Sequence, residues 1–113
     1  MGKQGFGKTL SEFDFVALKK GKHNGFNAAY KLYADHVYSL CMHIISNEQV
    51  AADLMQTVFE ILLKKSHNLK SLETLGPWLK QCTINACMGY FRQIKQHSLF
   101  VENPLHQQQV HDD

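Results

Sequence analysis

The sequence predicts an all-α protein, a compact bundle of three long helices with a short leading helix. Apolar residues recur every three or four positions over three long segments, which is the spacing of amphipathic helices. No segment alternates apolar and polar residues for long, so strands are not expected. With 113 residues, 44% of them hydrophobic, the chain is long enough for one domain with its own core.

The leading helix is predicted over residues 11–20, where Phe13, Val16 and Ala17 stand at helical spacing. It ends at Gly21. The first long helix follows and presents one apolar face. That face consists of Phe26, Tyr30, Tyr33, Val37, Leu40, Cys41, Ile44 and Ile45.

The second long helix is predicted to begin with a capping box at Ser46, and its apolar stripe follows. The stripe consists of Val50, Ala51, Leu54, Val58, Ile61 and Leu62. Residues 66–74 are polar and predict a loop, and Pro77 suits the first turn of the third long helix, where its missing N–H costs nothing. The inward stripe of that helix is Trp78, Leu79, Cys82, Ala86, Tyr90 and Ile94.

Three sections of the chain are predicted. Residues 1–10 form a flexible N-terminal arm, because glycine and polar residues predominate there. Residues 11–98 form the helical domain. Residues 99–113 form a linker-like tail, rich in Gln, His and Asp beyond Pro104.

Several classes of protein do not fit the sequence. No run approaches the ~18 apolar residues of a membrane span, and no secretory signal is expected at the N-terminus. Cys41, Cys82 and Cys87 are odd in number and lack a CxxC spacing, which fits a reducing cytosol. No metal-binding, phosphate-binding or nucleophile motif is present, so we expect no catalysis, no metal and no cofactor.

Positive charge is concentrated in the second half of the chain. Residues 61–101 hold six basic residues and a single acid, Glu73, whereas the rest of the chain is net acidic. A basic half of the chain is typical of proteins that bind nucleic acid. A solvated lysine surface explains the same charge, so charge alone leaves both interpretations open.

Two helices have a polar side that could bind a partner. On the second long helix this side consists of Asp53, Gln56, Thr57, Glu60 and Lys64, with Phe59 and Leu63 exposed on its flank. On the third, Gln81, Asn85, Arg92 and Lys95 are interleaved with Ile84, Met88 and Phe91. Amide and guanidinium groups read base edges, and aromatic groups stack on unpaired bases. For the second long helix, the alternative is an ordinary solvated face. For the third, the alternative is a helix buried on two sides.

These residues resemble a known family. Residues 50–59 (VAADLMQTVF) are similar to the D-L-x-Q-E-x-F signature in region 2 of bacterial sigma factors. Residues 26–33 and 77–85 resemble the F-x-x-L-Y-x-x-Y and W-L-x-x-I-A-x-N motifs of the small extracytoplasmic-function (ECF) group, and residues 90–92 resemble its closing Y-L-R. The motifs occur in the family's order across residues 12–97. Thr57 stands where the family has Glu.

The resemblance implies a non-enzymatic transcription initiation module of the bacterial cytoplasm. Its partners would be core RNA polymerase, through the coiled coil of the largest subunit, and the single-stranded non-template strand of the promoter minus-ten element as it melts. An anti-sigma factor is a further implied partner, and no membrane is involved. The implied polymerase-binding residues are Asp53, Gln56, Thr57, Phe59 and Glu60.

The resemblance also implies which residues contact DNA. These are Lys70, Lys80, Gln81, Asn85, Arg92 and Lys95. The loop before the last helix, about residues 67–76, would form a pocket for a flipped base, with Leu69, Leu72 and Leu75 as its contacts.

Two other functions remain open at the level of the sequence. A helical protein-interaction adaptor that never touches DNA is favoured by the low arginine content. A helix-turn-helix protein that reads duplex DNA is disfavoured, since the predicted loop exceeds the usual three to four residues of that motif. Preference for single-stranded over duplex minus-ten DNA separates the three functions.

Overall fold

The computed structural model describes residues 5–102, and side chains from residue 5 to residue 98. Four helices follow one another, α1 (Glu12–Lys19), α2 (His23–Ile45), α3 (Glu48–Lys65) and α4 (Leu72–Glu102). Two short 3₁₀ turns precede α1 and α4, at Gly5–Gly7 and Ser66–Asn68. The predicted all-α bundle is therefore confirmed.

Capping residues set the beginnings of α1 and α3. The Ser11 hydroxyl accepts a hydrogen bond from the Asp14 backbone N–H at 3.1 Å. The Asn47 carbonyl oxygen accepts from the Val50 N–H at 3.0 Å. The prediction that Ser46 caps α3 is wrong, because Ser46 has a left-handed backbone (φ 60°) and terminates α2 instead.

The last helix starts earlier than the sequence predicts. It begins at Leu72, and the Thr74 hydroxyl donates to the Ser71 carbonyl at 2.7 Å at this end. Pro77 therefore lies in the second turn rather than the first. The missing N–H of Pro77 leaves the Glu73 carbonyl without its helical donor, and both residues are exposed, so water can take its place.

The core is centred on α2, which packs against α1, α3 and α4. Its largest fully buried side chains are Leu18, Tyr33, Val37, Val58, Leu62, Leu75 and Leu79. Cys41 and Cys87 are also fully buried, and burial, together with the neighbouring Cys87, raises the pKa of the Cys41 thiol to about 12. These two thiols are therefore protonated small apolar groups at neutral pH.

Residues 5–10, predicted to be part of a loose arm, are packed on the bundle. The Phe6 ring stacks on Tyr33 with a centroid distance of 6.3 Å, and the Tyr33 hydroxyl donates to the Lys8 carbonyl. The Phe6 carbonyl crosses α4 at Gly76, where a Cβ atom would collide with it. The domain thus includes this segment, and residues 1–4 lie outside the described residues.

The C-terminal part of α4 extends beyond the other helices. Residues 91–98 are all exposed. Ile94, predicted to face the core, is 44% exposed because no neighbouring helix reaches it. The predicted domain boundary at residue 98 falls inside α4, and the rest of the predicted tail, residues 103–113, lies outside the described residues.

Candidate partner and nucleic-acid surfaces

The outer side of α3 carries the polar residues that the sequence singled out. Asp53, Gln56 and Glu60 are exposed and lie within about two helical turns of one another on one side of the helix. Thr57 is exposed as well, but its hydroxyl donates to the Asp53 backbone carbonyl at 3.1 Å. We call Asp53, Gln56, Thr57 and Glu60 the α3 face. It offers two carboxylates and one side-chain amide to a partner, and the exposed Lys64 lies one turn beyond Glu60 on the same side of α3.

Phe59 is not part of this exposed surface, and the prediction that it is an exposed contact is wrong. Its side chain is only 3% exposed. The ring meets Phe26 edge to face at a centroid distance of 6.1 Å and Tyr30 at 4.8 Å. Since α2 covers the flank on which Phe59 lies, the residue belongs to the core and supports the surface from below.

Phe59 forms the floor of an apolar groove between α2 and α3, of about 400 Å³. We call it the α2–α3 groove. Leu63, 55% exposed, and Tyr30, 40% exposed, are its most accessible apolar residues. The groove is lined by Phe26, Tyr30, Ala52, Met55, Gln56, Phe59, Glu60 and Leu63. It therefore shares Gln56 and Glu60 with the α3 face.

The outer side of α4 has a different chemistry. Gln81, Asn85, Arg92 and Lys95 are all exposed, and their spacing of 4, 7 and 3 residues aligns them in one stripe along the helix. We call these four residues the α4 stripe. Lys80 is exposed but lies about 100° around the helix from Gln81, on the flank of the stripe.

Apolar side chains remain accessible along this side of α4. Met88 is 39% exposed and Phe91 is 41% exposed. Within the stripe, the Gln81 side-chain nitrogen donates to the Asn85 side-chain oxygen at 3.0 Å. This bond occupies one of the two lone pairs of the Asn85 oxygen and leaves its NH₂ group to donate to a partner.

Of the three leucines assigned to the base pocket, two are buried and one is partly exposed. Leu75 is fully buried, Leu69 is 6% exposed, and Leu72 packs against the core cluster. Leu75 is therefore not available to a base, whereas Leu69, though nearly buried, lines a cavity beside this connection. Apolar residues of this short connection turn inward, since they cover the end of the bundle, and its polar residues face solvent.

A cavity of about 320 Å³ nevertheless opens beside this connection. Its lining consists of Lys65, Asn68, Leu69, Lys70, Thr74 and Trp78. The exposed amide of Asn68 and the exposed ammonium groups of Lys65 and Lys70 surround the partly buried Trp78 ring. We call it the loop cavity. It combines a stacking surface with positive charge.

The resemblance places the pocket in residues 67–76, which include Asn68, Leu69, Lys70 and Thr74 of this lining, but it does not point to Lys65 or Trp78. Trp78 was assigned to the core because it falls on the apolar stripe of α4. The available signal is a tryptophan early in the last helix, close to a polar connection that contains Lys70 and follows Lys65, since nucleic-acid sites combine aromatic rings with positive charge.

Among the residues that the structure describes, no group of three or more His, Cys, Asp or Glu side chains is placed to hold a metal ion. Within residues 5–102, no helix has the length and apolar content needed to cross a bilayer.

The residues that form most of the helical bundle and its two polar surfaces match a known protein family. A family model for sigma-70 region 2 matches residues 29–97, which include most of α2, all of α3, the loop cavity and the α4 stripe. The chain belongs to the sigma-70 region 2 family, whose members are non-catalytic factors of transcription initiation. The match is to region 2 as a whole and does not distinguish the ECF group. No curated protein and no solved structure matches the chain.

Proposed function

We propose that this chain is the region 2 domain of an ECF-type sigma factor of the bacterial cytoplasm. In this proposal, the α3 face binds core RNA polymerase through the coiled coil of its largest subunit. The α4 stripe and the loop cavity bind the non-template strand of the minus-ten element as it separates. The observation that carries the proposal is that two exposed surfaces of different chemistry lie within the stretch matched by the family.

The α3 face suits a protein partner that brings hydrogen-bond donors and positive charge. Asp53 and Glu60 present carboxylates, and Gln56 between them presents an amide. Complementary charge across an interface speeds association and fixes the relative orientation of the partners. Thr57 adds little because its hydroxyl is bonded to its own helix.

The α4 stripe suits a nucleic-acid strand. Arg92 and Lys95 can neutralise phosphates, which makes binding depend on salt. Asn85 and Gln81 carry amide groups of the kind that bond base edges. Because these four residues follow one line along α4, one strand running along the helix can contact phosphate-binding and base-reading groups together.

The loop cavity supplies the energy needed to hold a base out of the duplex. Extruding a base costs a few kcal/mol of stacking and pairing. Stacking on an aromatic ring is worth ~1–3 kcal/mol per base, so Trp78 is of the right kind to offset that cost. Lys65 and Lys70 at the rim add attraction for the adjoining phosphates.

The proposal is tested by the form of DNA that the domain prefers. The chain is mixed with core RNA polymerase and titrated with labelled oligonucleotides of one minus-ten sequence, single-stranded or duplex. We expect tighter binding of the non-template single strand. Preference for the duplex would favour a helix-turn-helix function, and binding to polymerase without any effect on DNA would favour a protein-interaction adaptor.

A further inference from the structure

Residues 5–10 pass across the start of α4 and are held there by α2. The Phe6 ring lies against two α2 residues, with centroid distances of 6.3 Å to Tyr33 and 6.2 Å to His36. The Tyr33 hydroxyl donates to the Lys8 carbonyl. Because α2 is the central helix of the bundle, these contacts tie the segment to the centre of the fold. We call residues 5–10 the N-terminal strap.

The strap meets α4 backbone to backbone. A Cβ atom on Gly76 would collide with the Phe6 carbonyl oxygen and would lie 2.9 Å from the carbonyl carbon. Neither partner in this contact is a flexible side chain that can move aside. A displacement of the strap is therefore transmitted to the backbone of α4.

The contact lies opposite the loop cavity on the same part of α4. Thr74 and Trp78 both line the cavity and are four residues apart, so they share one side of the helix. Gly76 is two residues from each of them, which places it about 160° away around the helix axis. The start of α4 is thus held between the strap on one side and the cavity on the other.

This end of α4 has fewer backbone hydrogen bonds than a regular helix, because Pro77 has no N–H to donate to the Glu73 carbonyl. Its position therefore depends more on packing. Leu75, fully buried, holds it from the core side. The strap holds it at Gly76, the residue before the proline, from a second direction.

We propose that the N-terminal strap positions the Trp78 ring for the base that enters the loop cavity, with Phe6 as a positioning residue. A stacking surface that is in place beforehand avoids part of the entropy cost of ordering it on binding. The inference rests on the proposed function. It adds a segment that lies outside residues 29–97, the stretch matched by the family.

Fluorescence tests the positioning directly, since Trp78 is the single tryptophan of the chain. We expect Phe6→Ala to shift the emission maximum to longer wavelength and to increase quenching by acrylamide, because water reaches more of the ring. Phe13→Ala, the same substitution at a 75% exposed residue of α1, should change neither. Phe6→Leu keeps most of the apolar volume and should recover most of the unmodified spectrum. A thermal melt sets a temperature at which every variant is folded.

Gly76→Ala tests the same contact from the side of α4. Alanine favours a helix more than glycine does, so this substitution displaces the strap without weakening the helix itself. Gly89→Ala is its matched control, since a Cβ atom there meets the Arg92 guanidinium at 3.7 Å, an ordinary contact distance. We expect Gly76→Ala to change the Trp78 emission and Gly89→Ala to leave it unchanged. If Phe6→Ala melts below the assay temperature, Gly76→Ala and Phe6→Leu carry the test.

DNA binding shows whether the positioning serves the cavity. Each strap variant, in complex with core RNA polymerase, is titrated with single-stranded minus-ten DNA. We expect Phe6→Ala to weaken DNA binding about fivefold, the lower end of the loss for one stacked base. In a chain that already carries Trp78→Ala, it should weaken binding no further, because both changes act on one stacking contact. The affinity for core polymerase should stay the same.

The outcomes separate this inference from the proposed function. Unchanged Trp78 emission in folded Phe6→Ala and Gly76→Ala overturns the positioning role. Changed emission with unchanged DNA affinity overturns it as well, provided that Trp78→Ala itself loses affinity. Additive losses in the Phe6→Ala/Trp78→Ala variant would show that the strap acts through general stability. If the unmodified complex does not prefer single-stranded DNA, the proposed function fails, and changed emission would still establish that the strap holds Trp78 in place.

Discussion

The α3 face and the α4 stripe are both exposed sides of helices that pack on α2, yet they differ in charge and shape. The α3 face is acidic and borders a concave apolar groove. The α4 stripe is basic and amide-rich and runs along a convex helix. The α3 face with its groove is therefore suited to a side chain of a protein partner. The α4 stripe is suited to a negatively charged nucleic-acid strand. One small bundle thereby presents two separate surfaces of different chemistry, as the proposed function requires.

The two surfaces also differ in how they depend on the core. The groove beside the α3 face has a core residue, Phe59, as its floor, so its shape and the stability of the fold are linked. The α4 stripe consists of exposed side chains only. Substitutions near α3 are therefore expected to mix stability with binding, while substitutions on α4 affect binding alone.

The largest effect is expected at the floor of the groove. Phe59→Ala should lower the free energy of unfolding by ~3–5 kcal/mol, because it removes a buried aromatic side chain and leaves a cavity. Chemical denaturation measures this, with Leu63→Ala on the adjacent wall as the exposed control. A small loss of stability in Phe59→Ala would contradict the burial of its ring.

On the α3 face, the combination of Asp53→Ala with Gln56→Ala should weaken the binding of core polymerase about tenfold or more, which corresponds to ~1.4 kcal/mol or more. Stability should change by less than ~0.5 kcal/mol, since both side chains are exposed. A pull-down with purified core enzyme and a thermal melt measure the two quantities. A collapsed melt would show that these residues stabilise the fold rather than contact a partner.

In the loop cavity, Trp78→Ala should cost ~1–3 kcal/mol in binding of single-stranded minus-ten DNA, because one stacked base loses its platform. Trp78→Phe retains an aromatic face and should recover part of the loss. Titration of oligonucleotides with one abasic position at a time locates the stacked base. The account of the cavity fails if Trp78→Ala binds every oligonucleotide as the unmodified chain does.

Within the α4 stripe, Asn85→Ala should cost ~1–3 kcal/mol of discrimination at one base and leave the salt dependence unchanged. Gln81→Ala should have a smaller effect at the same base, since Gln81 holds the Asn85 side chain through a 3.0 Å hydrogen bond. Binding of oligonucleotides with each minus-ten position varied gives both values. A change in salt dependence without a change in base preference would refute the base-reading role of Asn85.

The smallest effect is expected for a single charge of the same stripe. Lys95→Ala should weaken binding to all sequences about equally and reduce the slope of log K against log salt by about 1. Lys31→Ala, on the exposed side of α2, is the control with the same change of charge. Titrations at several salt concentrations measure the slope, and equal slopes for both variants would mean that Lys95 lies away from the DNA.

Much of this arrangement was predictable from local pattern. Helical periodicity identifies the exposed polar sides of α3 and α4. Residues at helical spacing from core residues face inward, so the polar residues between them face solvent. Asp53, Gln56, Asn85 and Arg92 are accordingly exposed where the sequence predicted.

What the sequence missed depends on contacts between distant segments. Phe6 packs where Gly76 leaves room on α4, and no local pattern links two residues seventy positions apart. The resemblance implies that Leu69 and Leu75 contact a flipped base, yet both side chains cover the end of the core. Periodicity indicates which side of a segment is apolar but not which neighbour covers it. For the same reason, periodicity assigns Ile94 to the core, although the end of α4 that carries it is exposed.

Whether the two surfaces serve different partners is tested by one crossed measurement. The Asp53→Ala/Gln56→Ala variant and the Asn85→Ala variant are each titrated with core polymerase alone, and then, as preformed complexes with saturating core polymerase, with single-stranded minus-ten DNA. We expect the first variant to lose affinity for polymerase but to keep its affinity for DNA once bound, and the second to keep its affinity for polymerase but to lose affinity for DNA. Loss of both affinities in either variant, or of neither affinity in both, would contradict the division of function between α3 and α4.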